Sequence, residues 1–144
     1  METAGTWWPW AVASAVFAAL TAVSAKSGLE GIDSDFATLI RTGMIAVVLG
    51  VLVGVLGKWR DPFALPRRSL GFLALSALTT GVSWVCYYRA LKIGDASRVA
   101  PVDKMSVVLV AVFAVVFLGE RPSPRDWVGI GMVTAGVVVL ALRR

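Results

Sequence analysis

Apolar residues fall along this chain in five long runs, separated by short polar segments. The runs cover about residues 7–25, 36–57, 70–91, 96–118 and 126–142. Runs of about 20 residues, rising ~1.5 Å per residue as helix, match a hydrocarbon core about 30 Å thick. The apolar residues do not alternate with polar ones, so outer-membrane strands are excluded. The joining segments "KSGLEGIDSD", "KWRDPFALPRR", "KIGD" and "GERPSPR" carry charges and turn residues. The pattern predicts an all-α, polytopic membrane protein with five transmembrane helices. These helices fill residues 1–144 as a single domain and leave no room for a soluble one.

Composition agrees with that reading and narrows the function. The 144 residues are 58% hydrophobic and 16% charged, far too apolar for the surface of a small soluble fold. The pI near 10 comes from ten arginines and four lysines that cluster between the runs. Basic loops of this kind are usual in membrane proteins, so no nucleic-acid partner is expected. A single cysteine, Cys86, rules out an internal disulfide, and in a chain without histidine no zinc site is expected. Glu2 is the only charged residue before Lys26, and Trp7, Trp8 and Trp10 form an interfacial belt. The first run is therefore read as a retained span, not a cleaved signal peptide. Neither a Ser/His/Asp set, a zinc-protease helix motif nor a phosphate-binding glycine loop is present, and the chain is not expected to be an enzyme.

Charges inside the runs are the candidate chemistry. Asp103 and Lys104 stand side by side, followed by thirteen uncharged residues from Met105 to Phe117. Each costs about 2.5–3.5 kcal/mol at the centre of a membrane helix. If Asp95 caps the fourth helix, Lys104 lies roughly 13 Å along its axis. Pro101 lacks an N–H, so the Ser97 carbonyl loses its usual partner and a kink is expected. Two readings fit: a hydrated site at which Lys104 attracts an anionic solute, or a structural pair that locks the bundle. Adjacent side chains on a helix point about 100° apart. Asp103 is thus expected to meet a charge on another helix, with Arg41 or Arg89 as its partner.

The third run carries Ser76, Thr80, Ser83 and Tyr87 on one helical face, bordered by Trp84 and Tyr88 and closed by Arg89. Hydroxyls and large rings at this spacing suit a cavity for an organic solute; interhelical hydrogen bonding is the alternative. The first run echoes it with Ser14, Thr21 and Ser24. The substrate-binding candidates are Asp103, Lys104, Arg41, Arg89, Trp84, Tyr87, Thr80 and Ser83. Glycines of the second and fifth runs, including Gly50 and Gly54, are expected to form close-packing faces without a substrate role.

From these residues a family resemblance follows. "APVDKMSVVLVAVFAVVFLGERPSPRDWVGIGMVTAGVVVL" resembles the last two helices of an EamA-type domain of the drug/metabolite transporter superfamily. The early proline, the "LGERPS" turn and the glycine-rich last helix carry the likeness. "AVFAALTAVSAKSGLEGIDSDFATLIRTG" resembles the opening of the single-domain bacterial and archaeal branch. Larger members have ten helices in two five-helix halves of opposite orientation, and this chain is similar to one half. The resemblance implies a secondary carrier of a small organic metabolite or drug-like solute, without an organic cofactor. It further implies a multi-pass protein of the plasma or inner membrane, working as a homodimer, antiparallel or with a related partner. A non-transporting subunit and a lipid-carrier translocase are the other functions considered. The first run holds no glutamate, which leaves Asp103 for proton coupling if the carrier is coupled to protons.

Loop charges bear on assembly. One face collects Lys58, Arg60, Arg67, Arg68, Arg121 and Arg125, the other Lys26, Lys92, Arg98, Arg143 and Arg144, which is six against five, or seven if Arg41 and Arg89 just inside helix ends are counted. The positive-inside rule does not choose between them. Either details of the loops decide the orientation, or the chain inserts both ways up. Single cysteines in the second loop, on a Cys86→Ala background, separate these outcomes. Dual insertion labels them from both sides of intact cells, and one-sided labelling rejects it.

Overall fold

A computed structural model describes residues 6–142. Glu2, Arg143 and Arg144, used above, lie outside the described residues. Among the described residues all regular structure is helical, and five segments are long and apolar enough to cross a membrane. The chain divides into two compact units, Met1–Ile93 and Gly94–Arg144.

The first unit contains α1 (Trp8–Gly28), α2 (Ser34–Val55) and α3 (Arg67–Ile93). Pro9 sits in the first turn of α1, where its missing N–H has no helical partner to lose. Asp33 begins α2: its carboxylate accepts hydrogen bonds from the Asp35 and Phe36 amides, both at 3.0 Å. α2 ends on Gly57, whose φ of 62° is left-handed. The Gly57 amide bonds the Gly54 carbonyl and the Lys58 amide bonds the Val53 carbonyl, both at 3.0 Å. This Schellman closure satisfies carbonyls that the helix end would otherwise leave open.

α3 packs against both α1 and α2. Two lysines bind its C-terminal turn to the loop before α2 and to α1. Lys26 Nζ donates to the Leu91 carbonyl and Lys92 Nζ to the Ile32 carbonyl, each at 2.7 Å. Leu91 is fully buried, and Leu29 and Tyr88 are nearly so. The outward surface is apolar instead, with Trp10, Val55, Leu78 and Ile93 all strongly exposed. In water such a surface would aggregate; in a bilayer it is what lipid tails solvate.

The second unit departs from a simple two-helix expectation. Its first span is broken into α4 (Ala96–Asp103) and α5 (Ser106–Phe113), followed by a wide turn over Ala114–Leu118. The break does not fall at Pro101 itself but at Lys104 and Met105. There the backbone tightens to i→i−3 bonding: Lys104 to Pro101 and Met105 to Val102, both at 3.0 Å. Val107 to Lys104 and Val108 to Met105 continue it at 3.0 and 3.1 Å. Proline removes one donor from the ladder, and the next turn rearranges around the deficit.

Asp95 occupies the extended N-cap position of α4, as expected, yet its carboxylate makes no cap bond and lies 4.0 Å from Arg98. Gly119, at φ 68°, closes the wide turn. α6 (Pro124–Leu142) opens with a reciprocal cap in which the Asp126 carboxylate accepts from the Ser123 amide at 2.7 Å and its hydroxyl at 2.8 Å. α6 packs on α4 and α5.

The left-handed turn after α2 gives a test. Gly57→Ala forces a side chain into that conformation and is expected to cost about 1–2 kcal/mol. Gly43→Ala, in a helical position where an added Cβ meets nothing within 4 Å, should not destabilise. Thermal unfolding of the two variants in detergent checks the difference.

Candidate functional site

Arg41 lies two turns into α2, between Ile40 and Thr42. Its guanidinium carbon stands 4.5 Å from the centroid of the Trp84 ring and 5.4 Å from that of Tyr88, both on α3. Such contacts are worth about 0.5–2 kcal/mol, most where water is excluded. Tyr88 is 4% exposed, whereas Arg41 and Trp84 are half-buried. One guanidinium nitrogen, Nη1, is buried and has no hydrogen-bond partner among the described residues.

Arg41 and Tyr88 line a half-open cavity of about 360 Å³ between α1, α2 and α3. Thr21, Ser24 and Leu29 form the side contributed by α1 and the turn after it. The spacing of Thr21, Ser24 and Gly28, three and four residues apart, puts them on one face of α1.

Nearly two turns toward the start of α2, Asp35 binds Arg89 in a two-pronged pair, with Nε donating to Oδ1 at 2.8 Å and Nη2 to Oδ2. The two contacts, Asp35 with Arg89 and Arg41 with Trp84 and Tyr88, bind α2 and α3 as antiparallel neighbours. Both members of the ion pair are well exposed.

The eight residues expected to form a site therefore part company. Arg41 and Trp84 come together. Tyr88, rather than Tyr87, supplies the second ring, and Tyr87 meets Tyr88 edge-on at 6.3 Å between centroids. Thr80 and Ser83 stay exposed, Ser83 in a shallow apolar depression with Leu78 and Val82. Of the two arginines expected as partners for Asp103, Arg89 takes Asp35 as its carboxylate and Arg41 takes two rings, both within the first unit. Within the second unit, Lys104 Nζ lies 3.4 Å from Asp103 Oδ2. Asp103 ends α4 and Lys104 is its C-cap, and the long lysine stem can swing back to its neighbour there. Tyr88, Thr21 and Ser24 complete the site although the sequence marks them only as a border of the third-run face and an echo of it in the first run. An inward face marked by Arg41 and Trp84 was the available signal for Tyr88, four residues beyond Trp84.

Among the described residues no cluster of His, Cys, Asp and Glu could hold a metal ion. The site brings together a fixed cation, two rings and two hydroxyls. The model of the EamA-like transporter family matches residues 5–142. The chain belongs to the EamA-like transporter family.

A Sinorhizobium protein described as an uncharacterized transporter in the cobO 3' region is 53% identical over 95% of this chain and 97% of its own length. Human solute carrier family 35 member G1 is 30% identical over 93% of the chain, a match that spans 36% of the human protein. A Yersinia pestis protein described as a probable 4-amino-4-deoxy-L-arabinose-phosphoundecaprenol flippase subunit, ArnE, is 28% identical over 58% of the chain and 74% of its own length. No solved structure matches. Membership makes this a multi-pass membrane protein of a transporter family, and its named relatives are transporters or a flippase subunit.

The Asp35–Arg89 pair can be tested by a double-mutant cycle. Asp35→Asn and Arg89→Gln are each expected to lower the melting temperature in detergent. The double variant should fall no further than the worse single one, since both remove the same interaction. Additive losses would mean that the two side chains act separately.

Proposed function

We propose that this protein is a secondary carrier of a small organic solute in the plasma or inner membrane, acting as a dimer and catalysing no covalent chemistry. The observation that carries the reading is the half-open cavity around Arg41, set between helices that are otherwise apolar. Ionisable groups in membrane segments usually face a bundle interior or an aqueous path. A cavity of about 360 Å³ is near the lower end of small-molecule sites, which suits a metabolite.

Dimerisation is supported by two observations. Gly50 and Gly54 of α2 and Gly129 and Gly136 of α6 are small residues of the kind that lets membrane helices approach closely, and within its own unit a Cβ added at any of them would meet nothing within 4 Å. The match also spans only 36% of the human solute carrier, room for more than one such stretch in that chain. The near-even loop charges suit an antiparallel pair.

A second reading, translocation of a lipid-linked solute as one subunit of a complex, is favoured by the likeness to the ArnE flippase subunit. A third, a membrane subunit that does not itself transport, makes the opposite prediction in a reconstituted system. Purified protein in liposomes, offered a panel of radiolabelled metabolites, should accumulate at least one of them unaided. No uptake of any solute, with restoration by a partner protein, would support the subunit reading.

Within the carrier reading, Asp103 and Lys104 contribute their charges at the break between α4 and α5. Lys104→Met is expected to abolish uptake of the identified solute while insertion and dimerisation persist. Unchanged uptake would make the pair a structural clamp.

A further inference from the structure

Cations in the first unit are engaged in different ways. Lys26 and Lys92 donate to carbonyls of other elements, and Arg89 grips a carboxylate with two donors. Arg41 instead lies against two rings and keeps a buried Nη1 with no hydrogen-bond partner. A guanidinium stacks through its face, whereas its five N–H donors lie in its plane. Ring contacts therefore hold Arg41 in position without consuming its hydrogen-bonding capacity.

A permanently charged group at the wall of a cavity, with no hydrogen bond of its own among the described residues, is suited to receive an acceptor oxygen at the in-plane donors of its guanidinium other than the buried Nη1. The planar fork matches the two oxygens of a carboxylate or phosphate. Thr21 and Ser24, on the wall formed by α1, add hydroxyl donors that turn freely. A cationic solute would meet like charge here, and a neutral one would leave the guanidinium uncompensated in a low-dielectric site.

We propose that Arg41 is the receptor for an anionic group, a carboxylate or phosphate, on the ligand that enters the cavity between α1, α2 and α3, with Trp84 and Tyr88 as positioning residues that hold the guanidinium face. The inference rests on the carrier reading in treating this cavity as a ligand site, and it names the ligand's class. The anionic group can come from a soluble metabolite or from a lipid headgroup; the chemistry at Arg41 is the same.

Full-length protein, purified free of lipid in dodecyl maltoside, is melted with benzoate, phenyl phosphate, benzyl alcohol or benzylamine, and separately with phosphatidylglycerol in mixed micelles. Binding to the folded state raises its apparent stability. The two soluble anions should raise the melting temperature by several degrees, and the alcohol and amine should not. Arg41→Gln should abolish the rise. Arg41→Lys, which keeps the charge but loses the fork, should weaken anion binding about tenfold or more.

A rise with phosphatidylglycerol alone, lost in Arg41→Gln, supports the anion receptor and assigns it to lipid. Equal shifts with alcohol and amine, no shift with any anion, or full retention in Arg41→Gln overturns the proposal. If Arg41→Gln does not melt cooperatively, the wild-type ligand series decides alone. Failure of the carrier reading looks different. Arg41-dependent anion binding without uptake in liposomes rejects the carrier and leaves the receptor standing, whereas uptake confined to neutral or cationic solutes does the reverse.

Discussion

A charge placed among lipid-facing helices must be compensated by the protein, because no water is there to do it. The first unit answers this demand in three chemically distinct ways at one end of its helices. Lysine ammonium groups take up carbonyls at helix ends, an arginine takes a carboxylate, and Arg41 takes the faces of Trp84 and Tyr88. These contacts determine how α1, α2 and α3 meet, since the rest of their surface is apolar and lipid tails compete for it on equal terms. Polar contacts supply the specificity that the hydrophobic effect supplies in water.

The same constraint explains why the helices begin and end where they do. Polar helix termini need partners, and at three of these ends the chain provides them locally. Asp33 caps α2, Gly57 allows its carbonyls to be closed off, and Ser123 with Asp126 caps α6. The polar joining segments are therefore part of the solution to burying a helix in hydrocarbon, not passive links. With the ends satisfied, Arg41 can be held two turns inside α2, where its only strong neighbours are rings.

How much of this could be read beforehand depends on the range of the interaction. The five spans were plain, because an uncharged run of about 20 residues has few alternatives to a membrane helix. The EamA likeness, carried by the "LGERPS" turn and the glycine-rich last helix, agrees with the family match over residues 5–142. Arg41 and Trp84 stood out by chemistry alone. Their pairing did not, since it depends on the rotation of α2 against α3, which hydrophobic periodicity leaves open when most positions on both helices are apolar. A rotation of one position exchanges Tyr87 for Tyr88 at the site. Arg89 had several carboxylates within reach in sequence terms, and only the antiparallel register of α2 and α3 selects Asp35. The hydroxyl stripe through Thr80 and Ser83 shows the converse: good periodicity is compatible with a face that stays exposed.

The break between α4 and α5 shows how a charged pair can persist in an apolar span. Pro101 removes a donor from the ladder, the following backbone tightens, and α4 ends at Asp103. Lys104 and Met105 nevertheless keep right-handed helical dihedrals, and α5 begins at Ser106, so the span continues past the break. A lysine stem is long enough to swing across the ~100° that separates adjacent helical positions, and the Lys104 ammonium lies 3.4 Å from the Asp103 carboxylate. The two charges therefore offset one another within the second unit, and an apolar span can carry both by means of one local contact.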